Sequence, residues 1–135
     1  MALRDTIIAL DLPLPDRDEL PKDMQKYFSI CDEKLGMLPN VLAAYSHDAE
    51  QLRSFSKFYS ILMLGDSGLS LLEREMIAVV VSSYNHCFYC LTAHGSGVRQ
   101  YSGDPALGEL MVMNYRAADL SERQRAMLDF AVKLT

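Results

Sequence analysis

Residues 69–97 read LSLLEREMIAVVVSSYNHCFYCLTAHGSG, and the conformation of this stretch decides the fold. Ser70 followed three residues later by Glu73 is a capping box. The hydroxyl can accept the Glu73 N–H while the carboxylate reaches back to the Ser70 N–H. The apolar run over residues 76–81 also has strand character, because valine suits a pleated surface. Its apolar residues do not alternate, however, and the cap sets a helical period carrying Leu72, Glu75, Met76, Val79 and Val80. Asn85 and His86 mark the end of this helix. A second one is expected from near Cys87 to about Tyr101, before Ser102 and Gly103.

Outward from this pair the chain reads as helices and short turns. Upstream, a helix is expected from Asp18 or Pro21 to Lys34, with Met24, Tyr27, Phe28 and Cys31 at helical spacing and Gly36 as a stop. Pro39 breaks the next stretch, a short helix follows over residues 40–46, and Asp48 can cap a longer one. That helix places Leu52, Phe55, Phe58, Tyr59 and Leu62 on one face and ends at Gly65-Asp66-Ser67-Gly68. Downstream, Asp104-Pro105 is an N-cap followed by proline at the first helical position. Ser121 and Gln124 form a second capping box, opening a helix to Thr135 with a stripe of Met127, Leu128, Ala131 and Leu134. Residues 1–15, ending in Pro13-Leu14-Pro15, read as an extended arm. Residues 16–135 read as one helical domain. No strand pairing is evident, so the expected fold class is all-α: a compact multi-helix bundle.

Length and composition bound the function. A chain of 135 residues, half apolar, fits one domain and buries roughly two-thirds of its unfolded surface, enough for a real core. With 23% charged residues and mean hydropathy near zero it is not a disordered chain. The net charge of −5 lacks the basic face a general nucleic-acid binder needs. No apolar run approaches the ~20 residues that span a bilayer. The N-terminal stretch carries acids and a proline too early for a signal peptide, so a cytoplasmic address is expected.

The three cysteines are Cys31, Cys87 and Cys90. An odd count with one CxxC pair does not resemble an extracellular disulfide framework; in a reducing compartment the pair reads first as redox-active or metal-binding. Cys87, Cys90 and His94 fall at about 0°, 300° and 340° around a helix, on one face. Cys87 sits where free N–H groups and the helix dipole stabilise a thiolate. His94 lies one turn beyond Cys90, close enough to take its proton. If the two helices form a hairpin, the Glu75 carboxylate can face the pair. Two vicinal thiols with a base suit peroxide reduction. One thiolate attacks the O–O bond and becomes a sulfenic acid, the other condenses with it to a disulfide, and an external reductant restores both. By position alone Cys87 is the better nucleophile.

Glu75, eleven residues, Cys87, two residues, Cys90, three residues, His94 resembles the active-site signature of the alkyl hydroperoxidase D family, within the carboxymuconolactone decarboxylase-like group. The string NHCFYCLTAHG (85–95), with LGMLPN (35–40) and LSLLERE (69–75), most resembles its uncharacterised peroxidase-related branch. The resemblance covers roughly residues 13–135. It implies an all-helical domain forming homo-oligomers and a thiol-dependent peroxidase that acts on hydrogen peroxide or organic hydroperoxides. It also implies recycling by a protein or small dithiol reductant, and no cofactor or metal. It implies Cys90 as the attacking thiol, Cys87 as its resolving partner and proton donor, and Glu75 and His94 as members of the proton relay. There are two departures. Tyr89 occupies the position of a relay histidine between the cysteines, where a phenol is a poor base at neutral pH but can line the site. Branch members also continue past the helix ending at Thr135, so the chain is expected to lack C-terminal helices.

Two other readings stand beside this one. A cofactor-free carboxymuconolactone-type decarboxylase would not need the cysteine pair. A non-enzymatic zinc-binding or redox-sensing helical oligomer would use Cys87, Cys90, His94 and Glu75 as ligands or as a switch. Gly95 and Gly97 flank Ser96 but lack the strand and lysine of a phosphate loop, and read as close helix packing. Cys31 reads as a small core residue, His47 as surface, His86 as a helix-end residue, and Tyr84 as packing.

Overall fold

The computed structural model describes residues 6–7 and 12–135. The rest of the expected arm, residues 1–5 and 8–11, lies outside the described residues. Within the arm, strands β1 (Thr6–Ile7) and β2 (Leu12–Pro13) pair antiparallel, Thr6 opposite Pro13 and Ile7 opposite Leu12. This corrects the expectation of no pairing. A two-residue strand is too short to show alternation, and Pro13 is tolerated because an edge position needs no N–H donor. All other regular structure among the described residues is helical, so the fold class is all-α as expected.

The chain divides into two compact units, one ending at Leu62 and one spanning Met63–Thr135. The first contains α1 (Lys22–Leu35), α2 (Asn40–Tyr45) and α3 (Ala49–Tyr59). Helix α1 stops at Gly36, whose φ of 71° is open to glycine at little cost and lets its N–H close on the Asp32 carbonyl. Asp48 caps α3 by accepting from the Glu50 and Gln51 N–H groups. The core of this unit is Leu20, Met24, Phe28, Cys31, Leu42 and Leu52. Cys31 is thus a core residue, and burial raises its thiol pKa. The expected face of α3 is only partly realised. Leu52 is buried and Phe55 stacks on Tyr45 at 4.5 Å, but Phe58 and Leu62 are exposed. After Tyr59 the backbone widens into a π turn, Ser60–Leu64, which shifts the helical phase.

The second unit holds α4 (Leu71–Tyr84), α5 (Phe88–Ser102), α6 (Pro105–Asn114) and α7 (Glu122–Leu134), with a 3₁₀ turn at Tyr115–Ala117. Both capping boxes form as read. Ser70 Oγ accepts from Glu73 N–H at 3.1 Å while Glu73 Oε2 accepts from Ser70 N–H at 2.8 Å, and Ser121 and Gln124 reciprocate likewise. Helix α4 packs against α5, α6 and α7. A helix covered on several sides has no reason to be amphipathic, which explains the unbroken apolar run that looked strand-like. Its Met76, Val79 and Val80 form the core with Val98, Met111, Tyr115, Ala118 and Leu128. Arg74, buried at the start of α4, donates to the carbonyls of Gly65 and Leu69 and ties down the preceding loop. On the α7 stripe Leu128 is fully buried. Met127, Ala131 and Leu134 line an apolar groove of about 420 Å³ with Leu69, Ile77 and Val81.

Candidate functional site

The site is built where α4 turns into α5. The turn is tight and fully bonded: Asn85 N–H donates to Val81 O, His86 N–H to Ser83 O, and Cys87 N–H to Ser82 O. To make it, His86 adopts a left-handed φ of 53°, uncommon for a residue with a side chain. Cys87 then occupies the N-cap of α5, with extended φ and ψ, and its Sγ accepts the Cys90 N–H at 3.3 Å. A sulfur thus stands where Ser, Asp or Asn usually satisfies an orphan donor.

Cys87 and Cys90 are paired as a disulfide with Cα atoms 5.3 Å apart, inside the ordinary span for such bridges. Both are partly buried, and Phe88 between them is 81% exposed. The cysteines therefore face neither a sealed core nor opposite directions.

One turn further along α5, His94 Nδ1 lies 2.7 Å from Glu75 Oε2. Glu75 comes from α4 and is 9% exposed, so it is not the solvated helix carboxylate that a lone Glu would usually be. An ionised carboxylate accepts only, which assigns the donor role in this contact to Nδ1 and leaves Nε2 as the ring nitrogen not engaged by Glu75. The structure joins the four expected residues as two separate pairs, cysteine with cysteine and glutamate with histidine, so the Glu75 carboxylate meets the imidazole of His94. Among the described residues, no group of three or more His, Cys, Asp or Glu side chains is placed to hold a metal ion.

Tyr89 is part-buried between the cysteines. Tyr84 is half-exposed and lines a separate cavity of about 90 Å³ between the end of α4 and residues 111–116, into which none of the four predicted residues reaches. Gly97 is more than packing. A Cβ there would stand 2.7, 2.8 and 2.9 Å from Glu75 Cδ, Oε2 and Cγ. Its signal in the sequence is its place three residues after His94, on the same helical stripe.

With this geometry in view, the profile of the carboxymuconolactone decarboxylase family matches residues 49–133, which is most of the chain and includes the whole site. The chain belongs to the carboxymuconolactone decarboxylase family. It is 66% identical to an uncharacterized peroxidase-related protein from Silicibacter sp. TM1040, with a TM-score of 0.87 over 93% of this chain. It is 41% identical to the alkylhydroperoxidase AhpD core of an uncharacterized peroxidase-related protein from Ralstonia eutropha JMP134, with a TM-score of 0.86 over 91%. It spans 65% of the length of each of these chains. It has no significant match among curated proteins. No helix among the described residues is long and apolar enough to cross a membrane.

Proposed function

We propose that this member of the family is a thiol-dependent peroxidase that reduces hydrogen peroxide or organic hydroperoxides. The observation that carries the reading is the pairing of two partly exposed cysteines at disulfide spacing with an imidazole held by a buried carboxylate on the same helical edge. The names of the two similar structures, both peroxidase-related, support it. In the proposed cycle the Cys90 thiolate attacks one oxygen of the peroxide and the O–O bond breaks. The alkoxide or hydroxide leaves and takes a proton, and Cys90 becomes a sulfenic acid. Cys87 then attacks that sulfur, water leaves, and the disulfide closes. A dithiol reductant restores both thiols by two exchanges and is itself oxidised. Glu75 fixes the tautomer of His94, whose Nε2 serves as the proton acceptor, in the manner of a base oriented by a third group. Tyr89 lines the site as a hydrogen-bond donor. The working form is a homo-oligomer.

The test is sulfenic-acid trapping after one equivalent of peroxide. Cys87→Ser leaves the attacking thiol without its resolving partner, so an adduct is expected on Cys90. Cys90→Ser is expected to give none. No adduct on either cysteine in wild type or variants sinks the peroxidase reading. The family match keeps the cofactor-free decarboxylase as the second reading. Lactone decarboxylation that survives simultaneous Cys87→Ser and Cys90→Ser would favour it.

A further inference from the structure

The geometry points to Gly97 as a positioning residue: the missing side chain at this position is what allows Glu75 to reach His94. The inference deepens the peroxidase reading and rests on it only for its catalytic consequence. Helix α5 carries Cys87, Cys90 and His94 on one stripe, and residue 97 is the next position of that stripe. Helix α4 lies against it and sends Glu75 across. The Glu75 side chain lies directly on the α5 backbone at Gly97, so closely that an added methyl would fall within 3 Å of three of its atoms. Real Cβ contacts are essentially never that short. The Glu75 chain runs past residue 97 to place Oε2 2.7 Å from Nδ1 of His94, one turn back.

A glycine inside a helix is otherwise unfavourable, because it orders more backbone than alanine for no packing gain. Here the vacant volume is filled by a carboxylate. The three nearest atoms a Cβ would meet belong to one flexible side chain, not to backbone, so the fold can survive a methyl while the carboxylate cannot stay where it is. Gly95, two residues earlier, differs. A Cβ there would meet nothing closer than Arg99 Nη1 at 3.4 Å, an ordinary contact. The two glycines look equivalent in sequence, yet of the two only Gly97 has the Glu75 side chain where its Cβ would be.

The experiment is a cycle on the full chain with Gly97→Ala and Glu75→Ala, singly and together, and Gly95→Ala as control. It is read by thermal unfolding and by the exchange-protected Nδ1 proton of His94 in NMR spectra. Wild type and Gly95→Ala are expected to show that proton, whereas Gly97→Ala is expected to lose it and to consume peroxide at least tenfold more slowly. In the Glu75→Ala background, adding Gly97→Ala is expected to lower neither the unfolding temperature nor the residual activity. A folded Gly97→Ala that keeps the protected proton overturns the proposal, as does its absence from wild type or its loss in Gly95→Ala. So does an equal loss of stability from Gly97→Ala in both backgrounds. If Gly97→Ala alone does not fold, the double variant decides: folding supports the proposal and failure to fold overturns it. The NMR and unfolding readouts use no peroxide, so a protein without peroxidase activity would still test the positioning.

Discussion

At the residue scale, the Glu75–His94 contact separates charge from shape. Glu75→Gln keeps a carbonyl that can accept from Nδ1–H but removes the negative charge that stabilises an imidazolium. On the proposed mechanism peroxide consumption is expected to fall about 10–100-fold, the usual effect of altering the partner that supports a functional imidazole, while the melting temperature stays near that of wild type. In the proposed cycle His94 is the proton acceptor, so His94→Ala is expected to cost about 10²-fold or more. Steady-state rates under excess dithiol check both. The His86 turn offers an independent prediction about stability. Its left-handed φ of 53° costs a side-chain residue roughly 1–2 kcal/mol, and glycine adopts it freely. Part of that gain is offset by the greater freedom of an unfolded glycine, so His86→Gly is expected to raise stability by about 0.5–1 kcal/mol in denaturant melts. The stripe of Cys87, Cys90 and His94 was legible because helical spacing alone creates it. The burial of Glu75 was not, because it depends on which face of α4 meets α5, and no local pattern states that. The strain at His86 was equally silent, since a histidine at a helix end is compatible with several backbone conformations.

At the scale of elements, the starts of α3, α4, α6 and α7 were legible because each opens on a side chain that satisfies an orphan N–H: Asp48, Ser70, Asp104 and Ser121. The π turn after Tyr59 was not, because no residue type marks a widened helical turn. Ser70→Ala should cost about 1 kcal/mol through loss of the cap, read by fraying of the first turn of α4 in hydrogen exchange. Glu73 adds a pH dependence. Its hydrogen bond from the Ser70 N–H, with the nearby Arg123 guanidinium, holds its carboxyl below the ordinary value. The folded value is the lower one, so its contribution is complete above the ordinary carboxylate range and is lost as pH falls through the folded value. Glu73→Gln should flatten the acid limb of stability. The alkaline limb belongs to Tyr115, in the 3₁₀ turn before α7. Burial, reinforced by the hydrogen bond its hydroxyl donates to Asp129, pushes the phenol from 10.0 up to about 12. Because the folded value is the higher one, this stabilisation is complete below pH about 10 and disappears as pH rises through about 12. Melting Tyr115→Phe beside wild type between pH 8 and 12 checks it: the variant should show a shallower decline.

At the scale of the molecule, the all-α class was legible because the cap of α4 outweighed the strand propensity of its valines. The two-unit division was not, because residues 1–135 carry no composition shift or linker that would mark it. The second unit makes the site depend on residues far from it in sequence. Leu128 of α7 is fully buried against the core that contains Met76, Val79 and Val80 of α4, the helix that presents Glu75. Removing its side chain leaves a cavity that a close-packed interior closes only in part, so Leu128→Ala is expected to cost about 2–5 kcal/mol. That loss should appear as faster exchange of the buried amides of α4 and α7. It is opposite in kind to Glu75→Gln, which should leave exchange unchanged and slow turnover. If catalysis needs only the local pairing of Glu75 with His94, Leu128→Ala measured well below its melting temperature should retain near-normal turnover. Turnover that falls in step with exchange protection, at a temperature where the protein is still folded, would instead show that the core sets the carboxylate's position continuously. Measuring both quantities on one sample decides between a site held by its own contacts and a site held by the bundle.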